Sequence, residues 1–293
     1  MKMKFKRQKA VRDSRGLRVA KTLMCAWFTF YSIALLFPFI YLIVVSLTDP
    51  NEYLTATEFL HVPSRVVIQN YIDAWNTLKV GDKGMLTMLF NSVWWSVGGA
   101  FLEIGTATCL GYAVARYKFF GRKAIHAISL FTMLLPIYGS MPANMVMLNN
   151  LKLYNTPFIL LTCCAGFGGT FIMTYAFFKS LPRAYMEAVF IDGAGHFKAF
   201  YKIMFPLAKG PIMALFIQHL ITRWNDYMTP ILYFPDYTTI PAGLYTYQIE
   251  QARGYNEPLL YSGMFLCMIP VLILYFLFNK QFMNLTIAGG LKG

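Results

Sequence analysis

The chain has 293 residues, of which 57% are hydrophobic and only 13% charged, and it carries 26 Lys and Arg against 13 Asp and Glu. Such a composition is too apolar for a soluble domain of this length and places the chain in a bilayer. The net charge of +13 does not point to nucleic acid, because the basic residues stand beside apolar runs, where anionic lipid accounts for them.

Residues 1–23 form a basic arm, expected to lie on the membrane surface or to remain without fixed structure. Residues 24–293 read as one membrane domain. Six apolar runs are long enough to cross a hydrocarbon core: 24–47, 88–114, 124–148, 157–178, 212–234 and 259–282. A backbone in hydrocarbon satisfies its polar groups only as a helix or closed barrel, so the expected class is all-α with six transmembrane helices. The first run follows basic residues like a signal peptide, but it is too long for one and lacks a small-residue cleavage site, so it is expected to stay as an anchor.

Between the first two runs, 68–78 suits a short interfacial helix, set off by Pro50, Pro63 and Gly81. In the second run Glu103 is an intramembrane charge, which needs a partner or a wet cavity; it is read equally as glue between helices and as lining of a path. Pro136, Gly139 and Pro142 break the third run, where Asn144 is a further polar candidate. In the fifth run Arg223 and Asp226 stand three residues apart, so a local ion pair is the simplest reading; the alternative is that Asn225 and Asp226 line a translocation path. The five cysteines lie in apolar runs without zinc-type spacing, and the four histidines are dispersed, so no metal site is expected.

Lys and Arg gather at the N-terminus, after the second run, between the fourth and fifth, and in the tail, while most acids fall in the alternate segments. Basic residues favour the cytoplasmic side, which puts both termini in the cytoplasm of a multi-pass plasma-membrane protein.

The loop at 180–211 is polar and glycine-broken. Pro182 suits the first turn of a helix through Val189, Gly193 and Gly195 interrupt it, and a second helix follows with Phe197, Phe200, Tyr201, Met204 and Phe205 on one face. These aromatics are read either as packing against the spans or as direct contacts to a partner. Gly193 to Lys198 lacks the Gly-Lys-Ser/Thr ending of a phosphate loop, so the chain is not expected to bind ATP.

Glu187, Ala188, Asp192, Gly193, Ala194, Phe200, Ile203, Pro206 and Leu207 fall in the register of the EAA motif, and the loop resembles that of binding-protein-dependent ABC importer permeases. Leu110 to Arg116 with Phe119 to Arg122, Trp224 to Tyr227 with Pro230, and Ala288 to Gly293 extend the resemblance to the carbohydrate-uptake, maltose-type branch. Val189 and the placement of Pro211 depart from the usual pattern. The resemblance implies a coupling helix that docks on ATPase subunits, with Glu187 offering a carboxylate and Gly193 a turn. It also implies a homologous second permease, two ATPase subunits that bind the ATP and Mg, and an extracytoplasmic solute-binding protein. Lys292 and Gly293 are implied tail contacts, and the cargo implied is a sugar or oligosaccharide. The rivals are an ion-gradient-driven secondary transporter using Glu103 or Asp226, and a membrane enzyme; dispersed reactive groups and no internal repeat speak against them.

Overall fold

A computed structural model describes residues 15–58, 61–135, 140–164, 166–191, 193–250 and 256–290. The elements are almost all helical. Helix α1 (Arg15–Ser46) leads to the short α2 (Pro50–Thr55) and α3 (Gln69–Thr77), the latter close to the interfacial helix expected at 68–78. A two-residue hairpin, β1 (Lys79–Val80) antiparallel to β2 (Lys83–Gly84), then delivers the chain into α4 (Met85–Val93). Helix α4 continues through a π turn (Trp94–Gly98) into α5 (Gly99–Arg116), so one rod covers the second apolar run.

Next come α6 (Arg122–Leu134) and α7 (Ser140–Asn150), then a 3-10 segment (Pro157–Cys164) bent by 49° against α8 (Gly169–Ser180). Helices α9 (Ala184–Ile191), α10 (His196–Ala199), α11 (Phe205–Trp224), α12 (Met228–Tyr233), α13 (Ile240–Glu250) and α14 (Glu257–Gly290) complete the chain.

Among the described residues, four helices are long and apolar enough to cross a membrane: Gly16–Ser46, Met85–Arg116, His196–Trp224 and Glu257–Asn279; the bent Pro157–Ser180 pair makes a fifth if counted as one span. The third apolar run is two shorter helices, α6 and α7, with the Pro136 and Gly139 break outside the described residues and Pro142 inside α7.

The fifth run is corrected at both ends. It begins at His196 instead of 212, because a π turn at Phe200–Met204 joins α10 to α11. Pro206 then sits in the first turn of α11, where its missing N–H costs little, and the wider hydrogen-bonding of the π turn absorbs the lost partner. The run stops at Trp224 instead of 234, because the Asp226 carboxylate accepts from the Thr229 N–H at 3.0 Å and starts α12 as a separate helix.

Packing is uneven in the way a membrane solvent allows. Helix α1 exposes nearly its whole length, with Leu23, Trp27 and Phe30 each about two-thirds exposed, since apolar lipid imposes no penalty on such a face. The best-packed pair is α5 with α8. A β-carbon on Gly111 would come within 2.4 Å of Thr174 Oγ1 and 2.9 Å of the Tyr175 backbone nitrogen, so the missing side chain is what sets this approach. A β-carbon on Gly166 would likewise fall 2.4 Å from the Ala107 backbone nitrogen. A second core joins α3, α4, α13 and α14 through Leu78, Met88, Leu244 and Leu260.

The α1–α4 connection is clipped in place by polar contacts. Glu52 accepts hydrogen bonds from the Ser64 N–H (2.9 Å) and hydroxyl (2.6 Å) and pairs with His61 Nε2 at 2.7 Å. The Ser64 hydroxyl and His61 together hold the Glu52 carboxyl down at about 2. The Tyr53 hydroxyl donates to Glu257 at the start of α14; burial and that carboxylate push it well above the usual phenol range.

Candidate coupling loop and intramembrane polar cluster

Helix α9 ends in a Schellman turn. The Gly193 N–H donates to the Phe190 carbonyl at 3.0 Å and the Ala194 N–H to the Val189 carbonyl at 3.1 Å, while Gly193 adopts a φ of +72°. That left-handed conformation costs a side-chain-bearing residue about 1 kcal/mol or more, which is why glycine stands here. No atom lies within 4 Å of where a Gly193 β-carbon would be, so the demand is conformational and not one of space.

The turn presents a surface. Glu187 and Ala188 are exposed, Ile191 is 85% exposed and Phe197 81% exposed, and the Phe197 and Tyr201 rings lie parallel, 2° apart, at 6.5 Å. Ala194 and Ile203 are part-buried, and Pro206 is exposed in the first turn of α11. Asp192, Lys292 and Gly293, singled out from the sequence, lie outside the described residues.

The aromatic face expected for 197–205 is divided. Phe197 and Tyr201 point outward, whereas Met204 is fully buried and Phe200 packs on the Tyr112 ring at 4.7 Å. The π turn is the physical reason, because its extra residue moves side chains off the 3.6-residue period that the one-face reading assumed.

The other side of the loop is tied to the spans by residues that sequence reasoning passed over. Met186 of α9 enters a core with Ile104 and Tyr112 of α5, Phe178 of α8, and Met204 and Ile212. His196 Nδ1 and the Tyr117 hydroxyl are 3.1 Å apart, and Tyr117 meets the Tyr112 hydroxyl, also at 3.1 Å. The Phe190 ring packs on His196 at 4.9 Å. Arg116, at the end of α5, donates to the Leu181 carbonyl at 2.7 Å. The available signal was the aromatic spacing Tyr112, Tyr117 and His196, which periodicity alone does not connect.

The intramembrane charges pair differently from the sequence reading. Arg223 does not pair with Asp226; its Nη2 donates to Glu103 Oε2 at 2.8 Å, across from α11 to α5. His219, one turn before Arg223, places Nδ1 3.2 Å from Glu103 Oε1, and its Nε2 lies 3.1 Å from the Thr170 hydroxyl of α8. The guanidinium also covers the Trp95 ring at 4.9 Å. A β-carbon on Gly99 would fall 2.9 Å from Arg223 Cδ, so that glycine makes room for the arginine. One cluster therefore ties α5, α8 and α11. Asp226 is withdrawn from it, since its carboxylate caps α12, and Asn225, exposed, donates to the Ile221 carbonyl at 2.9 Å. Asn144 is half-buried on α7.

Comparison with known proteins decides what kind of chain carries these features. Residues 107–284 match the family model described as binding-protein-dependent transport system inner membrane component. The chain belongs to that family. It is thus a multi-pass membrane permease and not an enzyme, and the ion-gradient reading finds no support in its relatives. It is similar to the diacetylchitobiose uptake system permease protein NgcG of Streptomyces coelicolor, with 27% identity over 95% of this chain and 90% of that protein. It is also similar to the arabinooligosaccharides transport system permease protein AraQ of Halalkalibacterium halodurans, with 29% identity over 92% of this chain and 96% of that protein. In fold it matches a chain from the solved structure of a bacterial ABC transporter involved in the import of the acidic polysaccharide alginate, with a TM-score of 0.78 and 21% identity over 92% of this chain and 99% of that one.

Proposed function

We propose that the protein is the permease subunit of an ATP-driven importer for a sugar or short oligosaccharide, and that α9 with its glycine turn is its coupling element. The single observation that carries this reading is the two-sided loop. One side, around Glu187, Ala188, Ile191 and Phe197, is open to a partner, while the other is fixed to α5, α8 and α11 through Met186, His196 and Phe200. A push on the exposed side is passed to the spans because packed interiors transmit displacement and do not absorb it.

In this reading the chain crosses the bilayer six times, the third crossing being made by α6 and α7 together, with both termini cytoplasmic. Its partners are a homologous second permease, two ATPase subunits that hold the ATP and Mg, and an extracytoplasmic solute-binding protein. Asn144, Asn225 and Asp226 are the path candidates. Glu103, held by two basic side chains, fastens helices together. The tail, Lys292 and Gly293, is a second place of contact with the ATPase subunits. The cargo class is carried over from the saccharide names of the relatives.

The test is co-purification of the subunits with Glu187→Ala and Gly193→Ala variants. Both are expected to keep the second permease and to lose ATPase retention or binding-protein-stimulated hydrolysis, with Gly193→Asn less affected because Asn tolerates a left-handed φ. Full retention and full stimulation in Glu187→Ala and Gly193→Ala would overturn the assignment.

A further inference from the structure

A cavity of about 320 Å³ lies between the ends of α5, α6 and α8, lined by Val114, Arg122, Lys123, His126 and Tyr175. Lys179 stands at its edge, with Nζ 5.3 Å from the Tyr175 ring centroid, and the His126 ring packs on the same tyrosine at 4.6 Å. Among the described residues, no carboxylate lies within ion-pair distance of Arg122, Lys123 or Lys179. The first turn of α6 opens with two cations, has no acid and has no side-chain cap. A helix start is already electropositive, so the ordinary arrangement would put an acid there. Among the described residues, no ion pair compensates the positive charge that lines this cavity.

The surroundings say what kind of anion reaches it. Phe119 is 42% exposed and Phe120 is bare, on the turn that immediately precedes Arg122. From the cavity, α6 runs on with Ile128, Phe131 and Leu134 all exposed, the surface that acyl chains cover in a membrane protein. Cations at the end of a lipid-facing helix, next to exposed aromatic rings, match a headgroup phosphate with its chains lying along α6. A free anion would need neither the rings nor the apolar strip.

We propose that this cavity binds the phosphate of an anionic phospholipid headgroup, held by Arg122, Lys123 and Lys179 beside Tyr175. The proposal needs only that the chain is embedded in a bilayer, and it is independent of the coupling role of α9.

The test is native mass spectrometry of the full chain purified in detergent, titrated with phosphatidylglycerol and separately with phosphatidylcholine. Wild type is expected to bind one phosphatidylglycerol in clear preference to phosphatidylcholine. Each basic residue near a membrane surface is worth about fivefold in affinity, so Arg122→Gln/Lys123→Gln is expected to weaken that first site roughly 25-fold. Arg122→Lys, which keeps the charge, is expected to change it by less than about threefold. The double variant Lys198→Gln/Lys202→Gln removes the same charge elsewhere and is expected to leave the site unchanged. Equal loss in both double variants would reduce the effect to general charge and overturn the proposal. So would the absence of a headgroup preference, or displacement of the lipid by millimolar inorganic phosphate, which would mark a free-anion site.

Discussion

Removing either end of the Glu103–Arg223 pair leaves a charge in a part of the molecule with few other partners. The two side chains are only 19% and 18% exposed, and Arg223 Nε is buried with no acceptor among the described residues. Charge centres about 4 Å apart attract by about 4 kcal/mol at an effective dielectric of about 20, and the cost of taking both ions out of water cancels a good part of this. Glu103→Gln is expected to destabilise by about 2–3 kcal/mol, since it leaves the guanidinium uncompensated. Arg223→Met is expected to cost less, about 1–2 kcal/mol, because Glu103 keeps its contact with His219. The double variant should then be more stable than the sum of the two by about 2 kcal/mol. Reversible unfolding of all four proteins in mild detergent, by added denaturing surfactant, measures this. Additivity within about 0.5 kcal/mol would refute the reasoning and mean that α5 and α11 are held by packing alone.

Gly111→Ala is expected to cost about 2 kcal/mol in the same assay, because the new methyl meets the Tyr175 backbone and cannot be relieved by a rotamer change, whereas Gly105→Ala, with nothing within 4 Å, should be neutral or slightly stabilising. The Glu52 clip gives a pH signature. Its carboxyl is depressed from 4.5 to about 2, so its contribution is fully present above about pH 4.5 and is lost as pH falls towards 2. Hydrogen exchange at the Ser64 amide should therefore be slow and flat above pH 4.5, after correction for intrinsic rates, and rise below it; Glu52→Gln should remove the inflection.

What could be read from the sequence depended on the range of the interaction. The long apolar runs behind α1 and α14 are visible because every residue in them reports the same solvent. Gly193 is visible because the motif and the left-handed turn select one residue type. The Glu103–Arg223 pair is not visible. A spacing rule that works within one helix favoured Asp226, three residues away, over a carboxylate 120 residues earlier in the chain. The Tyr112, Tyr117 and His196 connection and the lipid-facing cavity depend in the same way on which helices become neighbours. The π turns at Trp94–Gly98 and Phe200–Met204 escape for another reason. They leave no trace in hydropathy, yet they shift every face that follows.

A π turn is a helix carrying one residue more than its winding can hold. The stretch from His196 to Trp224 runs through such a place as one continuous helix. Passing the surplus residue along the rod turns each position it crosses by about 100°. A shift of that surplus between His196 and Arg223 would re-aim the side chains it passes without breaking the helix.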